Sequence, residues 1–307
     1  MNSSLDLELD LDLAFHVSIA LADATPAALA PLLGELRALE YRRAVLPPLD
    51  PSQTDAAALR RVFEEAELVP IAMTGQGPGA DVSSEDDGER RAGAAVLRDA
   101  VDFATAIGSD QLNGVPYGRF GPPGGPTSGA AFARAAAEVG AVADYAAGKG
   151  VAMTFEVLNR YETSAINTAE QAVEFVELSG SENLRIHLDT FHMAIEEADM
   201  AGAIRTALPK LGYLELGQSA RGALSTGVVD IAGVVRQALD DGYTGRWGVE
   251  AFSRPLVGSA AGDMLAIWRA PFDDAQGVAA DAARVVRKGW SESARGRRAQ
   301  RLARSHG

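Results

Sequence analysis

Four short apolar runs in the second half of the chain each carry a carboxylate at or near their end: VAMTFEV with Glu156, LRIHLD with Asp189, YLELG with Glu215 and RWGVEAF with Glu250. An acid closing a strand is either a helix cap or a ligand. Brought to one rim, four carboxylates would repel severely unless a cation held them. Glu156, Asp189, Glu215 and Glu250 are therefore expected to bind a divalent metal. Oxygen donors in this number suit Mg2+ or Mn2+ better than Zn2+, with water or substrate oxygens completing the shell. Such an ion would polarise a substrate carbonyl and stabilise the oxyanion formed when the neighbouring carbon loses a proton. The chain has no cysteine, so any metal must bind through oxygen or imidazole.

The four histidines divide differently. His192 lies three residues past Asp189 and is expected to hydrogen-bond a substrate hydroxyl. His187 reads as a core residue, His16 is ambiguous, and His306 falls in the basic tail, where solvent is expected.

Positioning the acids requires a scaffold that delivers successive strand ends to one face. Eight β-type runs supply it: LAFHVSIAL, YRRAVLP, LVPIAMT, SDQLNGV, VAMTFEV, LRIHLD, LGYLELG and RWGVEAF. Between them lie stretches such as TPAALAPLLGELRAL and DGERRAGAAVLRDAVDFATAIG, whose apolar residues recur at helical spacing. Eight strand–helix pairs over roughly 250 residues predict an α/β fold, a single (β/α)8 TIM barrel, with catalytic groups at the C-terminal ends of its strands. A doubly wound open sheet fits less well, because no Gly-rich phosphate loop follows the first strand. GVPYGRFGPPGGPTSG, after the fourth strand, reads as a loop over the barrel mouth. The expected division is an acidic extension over 1–12, a barrel over 13–290, and a basic, flexible tail over 291–307.

Of 307 residues 47% are hydrophobic, enough to bury a substantial core. The formal net charge of −14 opposes binding to phosphate backbones, so nucleic acid is not an expected partner. No apolar run approaches the ~20 residues that span a bilayer, and the first residues, MNSSLDLELDLDLAF, are acidic where a secretory signal would be basic. A cytoplasmic protein without a membrane partner is expected. Arginines crowd the C-terminus, from Arg284 to Arg304.

The pair EVLNRYE (Glu156 to Glu162) and LDTFHM (Leu188 to Met193), with NTAEQ (Asn167 to Gln171), GQGPGADVSS and IWR (Ile267 to Arg269), resembles the ketose 3-epimerases of the D-tagatose and D-psicose type. These belong to the sugar isomerase and epimerase superfamily of xylose isomerase-like barrels, and the resemblance covers most of residues 13–290. It implies a metal-dependent enzyme that removes and returns a proton at the ketose carbon next to the carbonyl. Glu156 and Glu250 would both hold the metal and flank C3 from opposite faces, and Asp189 would be a ligand only. Glu162 and His192 would bind the hydroxyl and carbonyl end of a small-molecule sugar, with Arg221 positioning it. Pairing into homo-oligomers is expected by the same analogy.

The seventh strand departs from that pattern. The family reads His-x-Gly-Glu followed by Asn-Arg there, with the His a metal ligand. This chain reads LELGQSAR, so Glu215 replaces the His, Gln218 the Glu and Ala220 the Asn. Aromatic residues usual after the first strand are missing too. The altered strand and GVEAFSRP are also similar to the catalytic subunits of C-glycoside deglycosidases, lyases that enolise a 3-oxo-glycoside, eliminate the β substituent and work with a small partner subunit. A sugar-binding barrel without catalysis is the third reading. A DNA endonuclease of the same superfamily would need a basic surface and more histidines.

Overall fold

The structure, a computed structural model, describes residues 10–306. Asp6 and Glu8 of the acidic extension lie outside them, as does the side chain of His306. Each expected apolar run forms a strand: β1 (Leu13–His16), β2 (Arg43–Val45), β3 (Val69–Gln76), β4 (Gln111–Arg119), β5 (Ala152–Glu156), β6 (Leu184–Asp189), β7 (Leu211–Gly217) and β8 (Arg246–Glu250). They pair in parallel in chain order, and β1 also pairs with β8, closing the barrel. The single (β/α)8 TIM barrel expected from the strand–helix alternation is the observed fold.

Helix starts follow local chemistry. Asp55, Asp86, Ser128, Thr168, Asp230 and Asp274 each accept a backbone N–H of the first turn of the helix they precede, satisfying donors that have no partner within the helix.

Strand alternation sorts the interior. On β6, Ile186 and Leu188 join the large core between strands and helices, while Arg185, His187 and Asp189 have the opposite parity and face the barrel axis. The barrel is filled in layers. At its base Arg43 binds Asp12 and Asp110, and Arg246 binds Asp110 and Gln111. Above them Ala14, Val45, Ile71 and Tyr213 form a small apolar plug, with Met73 against it. The titratable groups lie above the plug, at the C-terminal rim.

Three local expectations are corrected. The fourth strand does not stop at Val115 but continues through Pro116 to Arg119, leaving a shorter loop from 120 to 128. Continuation is made possible by a register shift between Gly75 and Gln76 and by Gly114, whose φ of +122° suits glycine. A Cβ on Gly114 would run into the Thr74 carbonyl oxygen. Gly114→Ala is therefore expected to lower stability by about 2–3 kcal/mol, read as a fall in the denaturant midpoint. An unchanged midpoint would show that β3 and β4 can separate there freely.

Secondly, the extension expected over 1–12 overlaps the barrel, because Asp12 belongs to its base. Thirdly, the basic tail expected over 291–307 carries a helix, Ala294–His306. Ser293 interrupts the preceding helix, Ala275–Glu292, and its Oγ accepts the Gly296 N–H, which starts the next. Arg295 then pairs with Asp10, tying the two ends of the described chain together. No helix among the described residues is long and apolar enough to cross a membrane.

Candidate active site and metal centre

Glu156, Asp189, Glu215 and Glu250 all arrive at the C-terminal rim and all are buried. Strand pairing sets their neighbours: Glu156 lies beside His187, and Asp189 beside Glu215. Glu215 occupies the centre of an arrangement the sequence did not suggest. His16 Nε2 of β1 lies 2.9 Å from its Oε1, and His187 Nε2 of β6 lies 2.9 Å from its Oε2. These are hydrogen-bond separations, yet neither ring N–H is directed along them, and both carboxylate oxygens lack a hydrogen bond. His16 Nδ1 also faces Glu250 Oε1 at 3.6 Å. Room for Glu215 comes from Gly248 on β8, where any Cβ would meet both the carboxylate and the Tyr213 hydroxyl.

Asp189 performs both roles that a strand-ending acid can take. Its Oδ1 accepts the Phe191 N–H at 2.9 Å and caps the helix Thr190–Glu196. Its Oδ2 faces the site, 3.1 Å from Arg221 Nη1 and 3.6 Å from His192 Nε2. Arg221 bridges Asp189 to Glu250, whose Oε2 lies 2.5 Å from the same Nη1. The guanidinium stacks over Phe191 at 3.6 Å, and the backbone of Arg221 has φ +54°, so the whole residue is held in one position. Arg221 is therefore not a partner of Glu215. Arg221 takes Asp189 and Glu250, and Glu215 takes two imidazoles.

His192 is buried, and its Nδ1 accepts from the Asn159 backbone N–H at 3.1 Å with the Asn159 amide nitrogen at 2.8 Å. That fixes the proton on Nε2, which lies 3.3 Å from Glu156 Oε1. The Asn159 amide also donates to Glu162 Oε1 at 2.9 Å. A cavity of 250 Å³ opens beside this group, lined by Asn159, Glu162, Phe191, Arg221, Phe252 and Trp268.

Burial dominates the charge states. It pushes Glu250 up to about 7 and Asp189 up to about 6, in both cases against the pull of Arg221. Burial raises Glu156 as well, opposed by His187. Glu215 is the exception: burial would raise it, but His16 and His187 hold it well below the carboxylate range. Burial pulls His16 down, yet Glu215, with Glu250 and Glu156 behind it, lifts it to about 9. Burial lowers His192 to about 4 and Asp189 does not offset it, so this imidazole is neutral in the working range.

Donor atoms of three groups come within 4.8 Å of one another: His16, Glu215 and Glu250; Glu156, His187 and Glu215; Glu156, Asp189 and His192. The set fits a divalent cation, because buried polar atoms on His16, His187 and Glu215 lie 2.9 Å apart without a directed hydrogen bond between them. The candidate donors include imidazole nitrogens beside the expected carboxylates. His187, expected in the core, is fully buried with its ring facing the site. Strand parity was the available signal, since residues 187 and 189 share a face. His16 has the same parity as Ala14 inside the barrel. Asn159 gave no signal beyond its place in EVLNRYE.

The chain matches the family model described as xylose isomerase-like TIM barrel over residues 35–288. This chain belongs to that family. It is 37% identical over 241 residues to a ketose 3-epimerase of Arthrobacter globiformis, covering 78% of this chain and 83% of the relative. It is 36% identical over 240 residues to an L-ribulose 3-epimerase of Methylomonas sp., covering 78% and 84%. A crystal structure of D-allulose 3-epimerase from Methylomonas sp. in complex with D-allulose superposes with TM-score 0.86 at 33% identity, covering 91% of this chain and 96% of that one. Within the family, this chain is an enzyme of the isomerase and epimerase class.

His192→Ala is expected to weaken substrate binding or turnover by about 10-fold or more while metal content stays near wild type, since the residue reaches the site past the strand end. Elemental analysis checks it, and metal loss would make His192 a ligand.

Proposed function

We propose that the chain catalyses 3-epimerisation of a free ketose, with Glu156 and Glu250 as the two proton-transfer groups, Asp189 and Glu215 as further metal ligands, and Glu162, His192 and Arg221 binding substrate. The observation that carries this reading is the buried pair itself: Glu156 ends β5 and Glu250 ends β8, with β6 and β7 between them in the ring, so they enter the mouth from different sides. Burial keeps both carboxyl groups above the ordinary range and favours proton uptake from a carbon acid. One takes the C3 proton and the other delivers a proton to the opposite face. Neutral His192 offers an Nε2–H to a substrate oxygen, oriented by Asn159, and Arg221 supplies a fixed positive charge between Asp189 and Glu250. A bound divalent ion, Mn2+ or Mg2+, would supply Lewis-acid stabilisation of the enolate. The presence of D-allulose in the related structure supports a C6 ketose, and the L-ribulose 3-epimerases support a C5 one.

The test is to incubate the purified chain with Mn2+ and, separately, D-allulose, D-fructose and L-ribulose in D2O. The expected result is the C3 epimer carrying one deuterium at C3. Failure to exchange C3 on any of them, together with aglycone release from a 3-oxo-glucoside, would replace the epimerase with the lyase.

Metal binding is expected to be pH-dependent with a definite sign. Glu250 and Asp189 hold protons below about 7 and about 6 in the metal-free chain, and a ligand must lose its proton. Mn2+ affinity should therefore rise with pH from 5 through about 7.5. Calorimetry in buffers of different ionisation enthalpy should show proton release at pH 6. Affinity that falls or stays flat over that range would show that these carboxyls do not ligate.

A further inference from the structure

We infer that His187, on β6, is a nitrogen ligand of the divalent ion, completing a set with Glu156 and Glu215. The inference rests on the divalent-ion reading above and adds a donor to it. His187 is fully buried, and neither of its ring nitrogens has a hydrogen-bond partner among the described residues. An imidazole removed from water with both nitrogens unmatched is costly. Its Nε2 approaches Glu215 Oε2 to 2.9 Å without its N–H pointing there. That is the separation of neighbouring ligands on one ion: two donors about 2.1 Å from a metal and at right angles lie about 3.0 Å apart.

Strand register supports the grouping. Glu156 and His187 are paired residues on β5 and β6, and His187, Glu156 and Glu215 each bring a donor within 4.8 Å of the other two. The Tyr213 ring packs edge-on against the imidazole, 4.7 Å between centroids, and limits its rotation. An imidazole ligand also changes metal preference, since nitrogen donors favour Mn2+ and later transition ions over Mg2+.

Electron spin-echo spectroscopy of the Mn2+-loaded full chain tests this directly. Wild type is expected to show 14N modulation from a coordinated imidazole, replaced by the 15N pattern when histidine is 15N-labelled. The modulation should persist in His16→Gln and disappear in His187→Gln, whose Mn2+ affinity by calorimetry should fall at least about tenfold. If wild type binds Mn2+ but shows no 14N modulation, His187 is no ligand while the metal reading stands; that result needs no variant to fold. Modulation that survives in His187→Gln assigns the nitrogen elsewhere and also overturns the inference. Absence of any Mn2+ binding to wild type would instead overturn the divalent-ion reading.

Discussion

Glu156→Gln and Glu250→Gln should each lower kcat by at least about 10³-fold, because each substitution removes a proton-transfer group and a charge from the metal site at once. General acid–base catalysis alone is worth about 10²- to 10⁴-fold. The two variants should differ in detail. Glu250 is held by Arg221 at 2.5 Å and faces His16 at 3.6 Å, so its loss leaves Arg221 to Asp189 and His16 to Glu215. Glu156 faces the neutral His192 at 3.3 Å. If the two carboxylates serve opposite faces of C3, one variant can still exchange the C3 hydrogen of one epimer with solvent while failing to invert it. Stopped turnover with such one-sided deuterium exchange is the expected signature, and retention of more than a tenth of wild-type activity by either variant would sink the two-base assignment.

Glu215→Gln is expected to weaken Mn2+ binding by about 10- to 100-fold. The carboxylate is fully buried between two imidazoles, and its charge is what lifts His16 to about 9. With the charge removed, burial acts on His16 with less opposition, and its pKa should drop toward the ordinary imidazole value. Both changes can be read on one sample, by calorimetry and by NMR titration of the histidine ring. Glu215→His would put three imidazoles together and should bind Mn2+ less well than wild type unless His187 is replaced too. A Glu215→Gln variant that binds Mn2+ as tightly as wild type would remove Glu215 from the ligand set and leave it as the partner of His16 and His187.

The sequence by itself determined the barrel. Eight apolar runs and the helical spacing between them are local features, and local features survive without knowledge of the rest of the chain. It also determined that Glu156, Asp189, Glu215 and Glu250 share a rim, because in this fold a strand's end fixes the height of its last residue. Only the tertiary structure decided who pairs with whom. His16 and Glu215 are 199 positions apart, and they meet because β1 closes the barrel beside β8, within reach of β7. Arg221 turns to Asp189 and Glu250 instead of Glu215 because a left-handed residue after β7 aims it across the mouth, where Phe191 and Phe252 receive its flat face. The long fourth strand and the terminal helix had the same origin. Gly114 is accommodated against Thr74, and the terminal helix is tied by Arg295 to Asp10, and neither partner is near in sequence. Long-range closure is a property of the assembled ring, and it gave a rim of acids its two internal imidazoles.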